Sequence, residues 1–179
     1  MKFLKNLLIG VTLLLVVLAV GSFLLPQKQH VERHIEISAS AAKIYPHLAK
    51  PKLFHQWSPW SKIDPKMKVE YSGAEMGEGA SMSWQSENSD VGSGSWTITK
   101  AVKNKSLDVA MDFGDEGGAT SFFKLEASAE NSEKTTVTWG FDTDAGMNPI
   151  MRWLGLMMDK MVGSEYAKGL ASLKKKVEK

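Results

Sequence analysis

The sequence predicts an α+β protein in which a curved antiparallel sheet of about seven strands wraps around one long carboxyl-terminal helix. Two observations predict this class. One alternating strand and two short helical pieces are followed by six more alternating strands, and the chain ends in a single long amphipathic segment. Because only one long helix is available to cover the apolar face of the sheet, we expect a cavity between them. A transmembrane helix at the amino terminus completes the prediction.

The strands are predicted from apolar residues at every second position, separated by short turns rich in Gly, Asn, Asp and Ser. Connections this short favour antiparallel neighbours. The acidic residues of these segments fall on the polar phase, so the inward phase holds no acid or base for proton transfer. The apolar phase comprises Val31, Ile35 and Ile37, then Met67, Val69 and Tyr71, Met82 and Trp84, Trp96 and Ile98, Leu107, Val109, Met111 and Phe113, Phe123 and Leu125, and Val137, Trp139 and Phe141.

Three helices are predicted in the part of the chain that follows residue 27. Ser40 is expected to cap a short helix over Ala41–Ala49, and a second short helical or irregular piece covers residues 52–57. Asn148 is expected to cap the long final helix, with Pro149 in its first turn. Its predicted apolar stripe is Ile150, Met151, Leu154, Met158, Met161, Val162, Tyr166, Leu170, Leu173 and Val177.

The amino-terminal segment Leu7–Leu25 carries no charged side chain, and as a helix it matches the thickness of a hydrocarbon core. We therefore predict a transmembrane signal anchor over residues 1–26 and one domain over residues 27–179. A cleaved signal peptide is the alternative, because Lys2 and Lys5 form a basic start and Ala19-Val20-Gly21 resembles a cleavage site. The basic start favours a cytoplasmic amino terminus and an extracytoplasmic domain, and the opposite orientation remains open.

Composition excludes several classes of protein. All 20 acidic residues and all basic residues except Lys2 and Lys5 lie after residue 27, so the domain is formally neutral. A neutral domain does not suit nucleic-acid binding, which needs clustered Lys and Arg against phosphate. The absence of cysteine excludes disulfides, a thiolate nucleophile and cysteine-ligated metals.

Histidine-containing patterns do not predict a catalytic or metal site. His30 and His34 lie four residues apart on a strand, roughly 13 Å, which is too far to share one ion. His55, Ser58 and Asp64 supply the residue types of a hydrolase triad without a nucleophile-elbow motif. We therefore predict no catalytic residue, no metal and no cofactor.

Several fold-maintaining segments accompany this order of elements: Phe54–Trp60, Tyr71–Gly73 with Gly77–Ala80 and Trp84, Gly92–Gly94, Thr135–Trp139 and Tyr166–Lys174. Together they resemble the helix-grip fold of the SRPBCC superfamily, which includes START-domain and birch-pollen-allergen relatives. The closest resemblance is to the bacterial polyketide cyclase/dehydrase and lipid transport group, and it covers about residues 31–178. It implies a cavity for a hydrophobic ligand and does not imply a reaction.

These observations predict a membrane-anchored domain that binds a hydrophobic small molecule or lipid, with no nucleic acid and with any protein partner unknown. Aromatic and Met side chains on the inward phase can line an adaptable cavity. The predicted ligand-binding residues are Trp57, Trp60, Trp84, Trp96, Met111, Phe123, Trp139, Met151, Leu154 and Met158. Two alternatives stay open: an enzyme resembling polyketide cyclases or dehydratases, and a protein-interaction module without a ligand.

Overall fold

The computed structural model describes residues 2–179, except the side chain of Glu116. It confirms the predicted α+β class: a curved seven-stranded antiparallel sheet with one long carboxyl-terminal helix, short helices and an amino-terminal helix. The elements are α1 (Lys2–Ser22), β1 (Lys28–Ile37), α2 (Ala41–Ala49), α3 (Pro51–His55), α4 (Trp60–Ile63), β2 (Lys68–Gly73), β3 (Ala80–Gln85), β4 (Ser93–Val102), β5 (Ser106–Asp112), a 3-10 turn (Gly114–Glu116), β6 (Gly118–Ala127), β7 (Thr135–Asp144) and α5 (Pro149–Val177).

The sheet has the strand order β1-β7-β6-β5-β4-β3-β2, and every neighbouring pair is antiparallel. Strands β2 to β7 follow one another through short turns, as predicted. Strand β1 reaches the far edge and pairs with the last strand, where Val31 lies opposite Phe141. This pairing joins the first strand of the domain to the last, and β1 and β2 form the two edges of the open, curved sheet.

The region between β1 and β2 is more broken than the sequence predicted. Ser40 occupies the position before α2, as expected, but its side chain makes no capping hydrogen bond, and its carbonyl accepts from Lys43 and Ile44. The predicted second piece, residues 52–57, corresponds to α3, and α4 is an additional short helix that the sequence did not predict and that starts after Pro59. The three short helices close one end of the sheet.

Helix α5 begins as predicted. The side chain of Asn148 accepts hydrogen bonds from the backbone N–H groups of Ile150 and Met151, and Pro149 follows it. The helix runs along β1, where Arg33 forms a two-point ion pair with Asp159, with nitrogen–oxygen distances of 2.9 Å. The second half of α5 buries Tyr166, Leu170, Leu173 and Val177 against the sheet.

The first half of α5 departs from the predicted continuous buried stripe. A helix turns about 100° per residue, so Leu154 and Leu170, 16 residues apart, point roughly 160° away from each other. Ile150, Leu154 and Met161 consequently lie on the outer face and are exposed. Small and polar residues, Gly155, Asp159 and Gly163, lie on the side that faces β1. The sequence pattern therefore contains two apolar faces, of which only the second covers the sheet.

Helix α1 is the single described helix long and apolar enough to cross a membrane, with a mean hydropathy of 2.4. It ends at Ser22, so the last residues of the predicted span, Phe23–Leu25, form a turn instead. The end of α1 contacts the start of α5, where Trp153 Nε1 donates to the Leu18 carbonyl at 3.0 Å.

Candidate functional site

The inward face of the sheet consists of rows of side chains that run across neighbouring strands. One row joins Leu107, Phe123 and Trp139, which pair directly across β5, β6 and β7. All three are almost fully buried. Side chains that are opposite each other on antiparallel strands point to the same face, so the register places all three on one face, and the stacking of Trp139 on Tyr166 shows that α5 covers it.

Trp139 is the centre of an aromatic cluster that fills the space between this row and α5. Its ring stacks on Tyr166 with a centroid distance of 3.8 Å, and on Phe123 at 5.2 Å. Trp57 meets it edge-on at 5.3 Å, and Phe54 does so at 5.7 Å. At this level the interior is occupied by aromatic rings rather than by open space.

Two hydroxyl groups lie inside this cluster, and the sequence analysis did not identify either as polar core. Ser121 Oγ donates to the Gly140 carbonyl at 2.8 Å and accepts from Trp139 Nε1 at 3.1 Å. Tyr166 Oη lies 3.4 Å from Ser121 Oγ. Burial raises the pKa of the Tyr166 hydroxyl well above its ordinary value, so it stays protonated. The burial of Ser121 could have been predicted from the sequence, because Ser121 and Phe123 are two residues apart on β6 and therefore point to the same, inward face.

Burial decreases toward the open end of the sheet. In the row that crosses β3 to β6, Met82 and Trp96 are buried, whereas Met111 and Ala119 are only half-buried. Trp84, at the outer end of β3, is half-buried as well and meets Phe113 edge-on. From α5, Met158 and Val162 pack onto the same core and remain half-buried. We call these partly exposed residues, Trp84, Met111, Ala119, Met158 and Val162, the apolar cleft.

The structure divides the predicted ligand-binding residues into three groups. Trp57, Trp96, Phe123 and Trp139 belong to the packed aromatic cluster, and Trp60 lies at its edge against Trp139 and Tyr166. Trp84, Met111 and Met158 lie in the apolar cleft, and Met151 is half-buried two turns before Met158 on α5. Leu154 lies apart from the others, on the exposed outer face of α5.

The histidine patterns do not assemble into a catalytic group among the residues that the structure describes. His55 Nδ1 lies 3.0 Å from Ser61 Oγ, not beside Ser58, and Asp64 accepts from Ser86 Oγ. His30 instead contacts Asp142 and Glu32 at the surface, and these carboxylates raise its pKa. Within residues 2–179, apart from the side chain of Glu116, no cluster of three metal-binding side chains is found.

Two surface grooves lie outside the inward face. One, of about 490 Å³, lies between α3 and β2 and includes Lys50, Lys52 and Tyr71; Lys50 forms an ion pair with Glu75. The other, of about 310 Å³, lies between α4 and the second half of α5, beside Lys62 and Lys168. Both are open to solvent, and their lining includes charged residues, Lys50, Lys52 and Glu75 in the first and Lys62, Glu165 and Lys168 in the second.

His47, on α2, makes the stability of the domain dependent on pH. Its Nδ1 is buried and has no hydrogen-bond partner in the described part of the chain, and burial, followed by the charges of Lys176 and Lys43, lowers its pKa below the ordinary value of 6.5. In the window below 6.5 the unfolded chain therefore binds more protons than the folded one, and stability falls as the pH falls. His55 acts in the same direction, and the raised pKa of His30 opposes them.

We expect His47→Gln to flatten the pH dependence of the free energy of unfolding below about pH 6.5. Above that pH the slope of this dependence should be nearly the same in the variant and the wild type. The measurement is the free energy of unfolding of the wild type and the variant across this window. His34→Gln is the control, because His34 is exposed on β1. A wild-type curve and a His47→Gln curve with identical slopes would contradict the assignment.

Comparison with known proteins identifies the fold independently. The family described as polyketide cyclase/dehydrase and lipid transport matches residues 28–178, nearly all of the domain. No curated protein matches the chain in sequence.

Solved structures share the architecture at low identity. Truncated norcoclaurine synthase from Thalictrum flavum has a TM-score of 0.63 and 12% identity, over 84% of this chain and 93% of the other. The Aha1 dimer from Colwellia psychrerythraea has a TM-score of 0.56 and 22% identity, over 83% and 96%. Ara h 8.0201 has a TM-score of 0.56 and 12% identity, over 84% and 97%. At these identities the likeness shows the fold alone.

Proposed function

Because the chain belongs to the polyketide cyclase/dehydrase and lipid transport family, we propose that it is a membrane-anchored domain that binds a hydrophobic small molecule or a lipid in the apolar cleft. The helix-grip architecture is consistent with hydrophobic ligand binding, since it holds an apolar concave sheet against a single helix. The family supports the class of guest, and the residues of the cleft support its position.

One observation carries the proposal: burial of the inward face decreases from a fully packed floor to a half-exposed rim. Leu107 and Phe123 are completely covered, whereas Met111 and Ala119, which pair with each other two rows further out, are not. An apolar rim next to an apolar floor gains free energy when a hydrophobic guest removes it from water. The flexible thioethers of Met111 and Met158 can adapt to guests of different shape.

The packed aromatic cluster limits the depth of the site. Trp57, Phe123 and Trp139 act as its floor, and the guest lies between the open ends of β3–β6 and the first half of α5. The two buried hydroxyls, Ser121 and Tyr166, are already paired with each other and with the Gly140 carbonyl, so they stabilise the floor rather than face the guest.

Exchanging Met111 for aspartate tests the site, because it places a charge on the rim where the guest is proposed to bind. We expect Met111→Asp to lose most of its labelling by a photoactivatable, diazirine-bearing fatty acid supplied to membranes that contain the full chain. Ala110→Asp is the matched control, since Ala110 is the preceding residue of β5 and is exposed on the opposite face. The labelled peptides are identified by mass spectrometry.

Met111→Leu, which keeps the rim apolar, is expected to label like the wild type, and thermal unfolding checks that all three variants are folded. Equal labelling of Met111→Asp and Ala110→Asp would contradict a guest at this position.

The second candidate function is a protein-interaction module, and the filled aromatic interior is the observation that favours it. In that case the exposed rim would contact a protein and not a small molecule. Photocrosslinking from the rim separates the two, because it would give protein adducts instead of small-molecule adducts.

The contact between α1 and α5 supports a retained anchor over a cleaved signal peptide. Trp153 Nε1 bonds to the Leu18 carbonyl, and the Arg152 guanidinium lies near the carbonyls of Phe23 and Leu25 at 3.5 and 3.4 Å. Cleavage after Gly21 would remove Leu18 and leave the Trp153 indole without this acceptor. We propose that residues 1–26 remain as a single-pass anchor with the domain on the extracytoplasmic side.

The absence of native cysteine makes the orientation measurable with one substitution. Glu133→Cys lies in the exposed turn between β6 and β7, at the end of the sheet distant from α1. We expect a membrane-impermeant maleimide to modify this cysteine in cells whose outer barrier has been opened and whose inner membrane is intact. The modified protein should have the mass of the full-length chain. The cysteine-free wild type is the control. Labelling only after the inner membrane is lysed would show the reverse orientation, and a mass lacking the first residues would show cleavage.

A further inference from the structure

The first two turns of α5 present a second apolar face that the sheet does not cover. Met147 and Ile150 are 74% and 69% exposed, and Trp153, Leu154 and Met157 are exposed beside them. We call these five residues the juxtamembrane face. Met147 precedes the helix, and on α5 Ile150, Leu154 and Met157 lie opposite Gly155 and Asp159, which face β1, so the sheet does not cover them.

Exposed charge is missing from this part of the chain. Between Ala145 and Met158 the sequence contains one charged side chain, Arg152. Its guanidinium is buried: Nε and Nη2 donate to the Gly146 carbonyl at 2.9 and 2.8 Å, and the group lies 5.1 Å from the Phe23 ring centroid. The stretch of chain that forms the juxtamembrane face therefore carries no exposed charge before Asp159 and Lys160.

The position of this face relative to α1 indicates what covers it. Trp153 contacts the backbone of Leu18 and lies 3.8 Å from the Cβ position of Gly21, within the last turns of the helix. Leu18 precedes the end of α1 by four residues, roughly 6 Å along the axis. If α1 crosses the bilayer, Trp153 lies at the depth where tryptophan is enriched, between the acyl chains and the headgroups.

We propose that the juxtamembrane face lies in the headgroup–acyl boundary of the bilayer that α1 crosses, so that the domain rests on the membrane through the start of α5. This inference depends on the membrane anchor of the proposed function. It places Met151 and Met158, on the cleft side of the same helix, next to the lipid surface. A protein partner at this face would have to displace the lipid that surrounds the end of α1, which favours the bilayer as the occupant.

The experiment uses the full chain, because its lack of cysteine allows single labels. Ile150→Cys and Leu154→Cys carry an environment-sensitive nitrobenzoxadiazole label, and the chain is reconstituted into phosphatidylcholine–phosphatidylglycerol vesicles. Glu133→Cys is the matched control at the distant end of the sheet. We expect the labels at 150 and 154 to emit at shorter wavelength than the label at 133. They should lose most of their emission when the vesicles contain lipid with a doxyl group near the top of the acyl chain.

Failure of the inference and failure of the anchor give different results. If the chain floats with the vesicles while the labels at 150 and 154 behave like the label at 133, the docking of this face is overturned and the anchor is retained. If the chain does not float with the vesicles, the membrane anchor is contradicted, and the proposed docking of this face is overturned as well. Labels that shift to shorter wavelength without lipid quenching, in proportion to protein density, would assign the face to a second copy of the chain and overturn the inference. Circular dichroism confirms that the labelled chains are folded.

Discussion

Replacing Trp139 with alanine is expected to lower the free energy of unfolding by about 3–5 kcal/mol, the range for removing a large buried aromatic side chain. The indole is 2% exposed and touches Tyr166, Phe123, Trp57 and Phe54. The substitution also leaves the buried Ser121 hydroxyl without the Nε1–H donor that it accepts from. Denaturant unfolding of the full chain, followed by circular dichroism, measures the loss.

Trp153→Ala is the control for this substitution, because it removes the same side chain from an exposed position at the start of α5. Its cost is expected to stay below about 1 kcal/mol in the same assay. Equal losses for the two variants would show that Trp139 is not the centre of the core.

Gly169→Leu is the second substitution with a large expected effect. A Cβ atom at Gly169 would lie 2.8 Å from the Trp139 ring, 3.1 Å from Pro59 Cδ and 3.4 Å from the Trp57 ring. These groups are themselves buried, so a leucine can be accommodated only if α5 moves away from the aromatic cluster. We expect a loss of about 3 kcal/mol, at the upper end of the usual range for overpacking.

Ala167→Leu is the matched control, since it adds a leucine two residues earlier on the exposed side of α5. Leucine is nearly as good a helix former as alanine, so we expect its effect to stay within about 0.5 kcal/mol. Thermal and denaturant unfolding of both variants checks the prediction. A Gly169→Leu chain as stable as Ala167→Leu would mean that α5 does not pack tightly on Trp57 and Trp139.

The sequence predicted the sheet well because its signal is local. Side-chain alternation and turn residues specify each strand and the face it buries, and the paired positions of Phe123 and Trp139 follow from that phase. The cap at Asn148 is also local, since it needs only the next three residues.

The division of α5 into two faces was not predicted. A periodicity analysis detects a stripe but does not report which partner each part of it meets. The distinction depends on the Arg33–Asp159 ion pair and on the close approach of Arg33 to Gly163, which both involve a strand more than a hundred residues away in sequence. Seen along the chain, Leu154 and Leu170 are equivalent; in the fold they lie on different sides of the helix.

The same limit applies to the candidate site. Trp96 and Met111 are direct cross-strand partners on the inward phase, so the sequence gives no reason to separate them. Trp96 is buried and Met111 is half-buried, because the short helices that follow β1 cover Trp96, through Phe54, and leave the other end of the sheet open. Tertiary packing therefore determines how deeply each inward side chain is buried, and so whether it belongs to the packed floor or to the half-exposed rim.

The half-exposed rim between α5 and the sheet is proposed to hold an apolar small molecule in the cell. This is tested by replacing Met158 with p-benzoylphenylalanine and irradiating intact cells that produce the full chain, with the same replacement at Ala167 as the control. We predict an adduct of small-molecule or lipid mass at position 158 and none at position 167. A chain without adducts at position 158, or with protein adducts alone, would contradict the account.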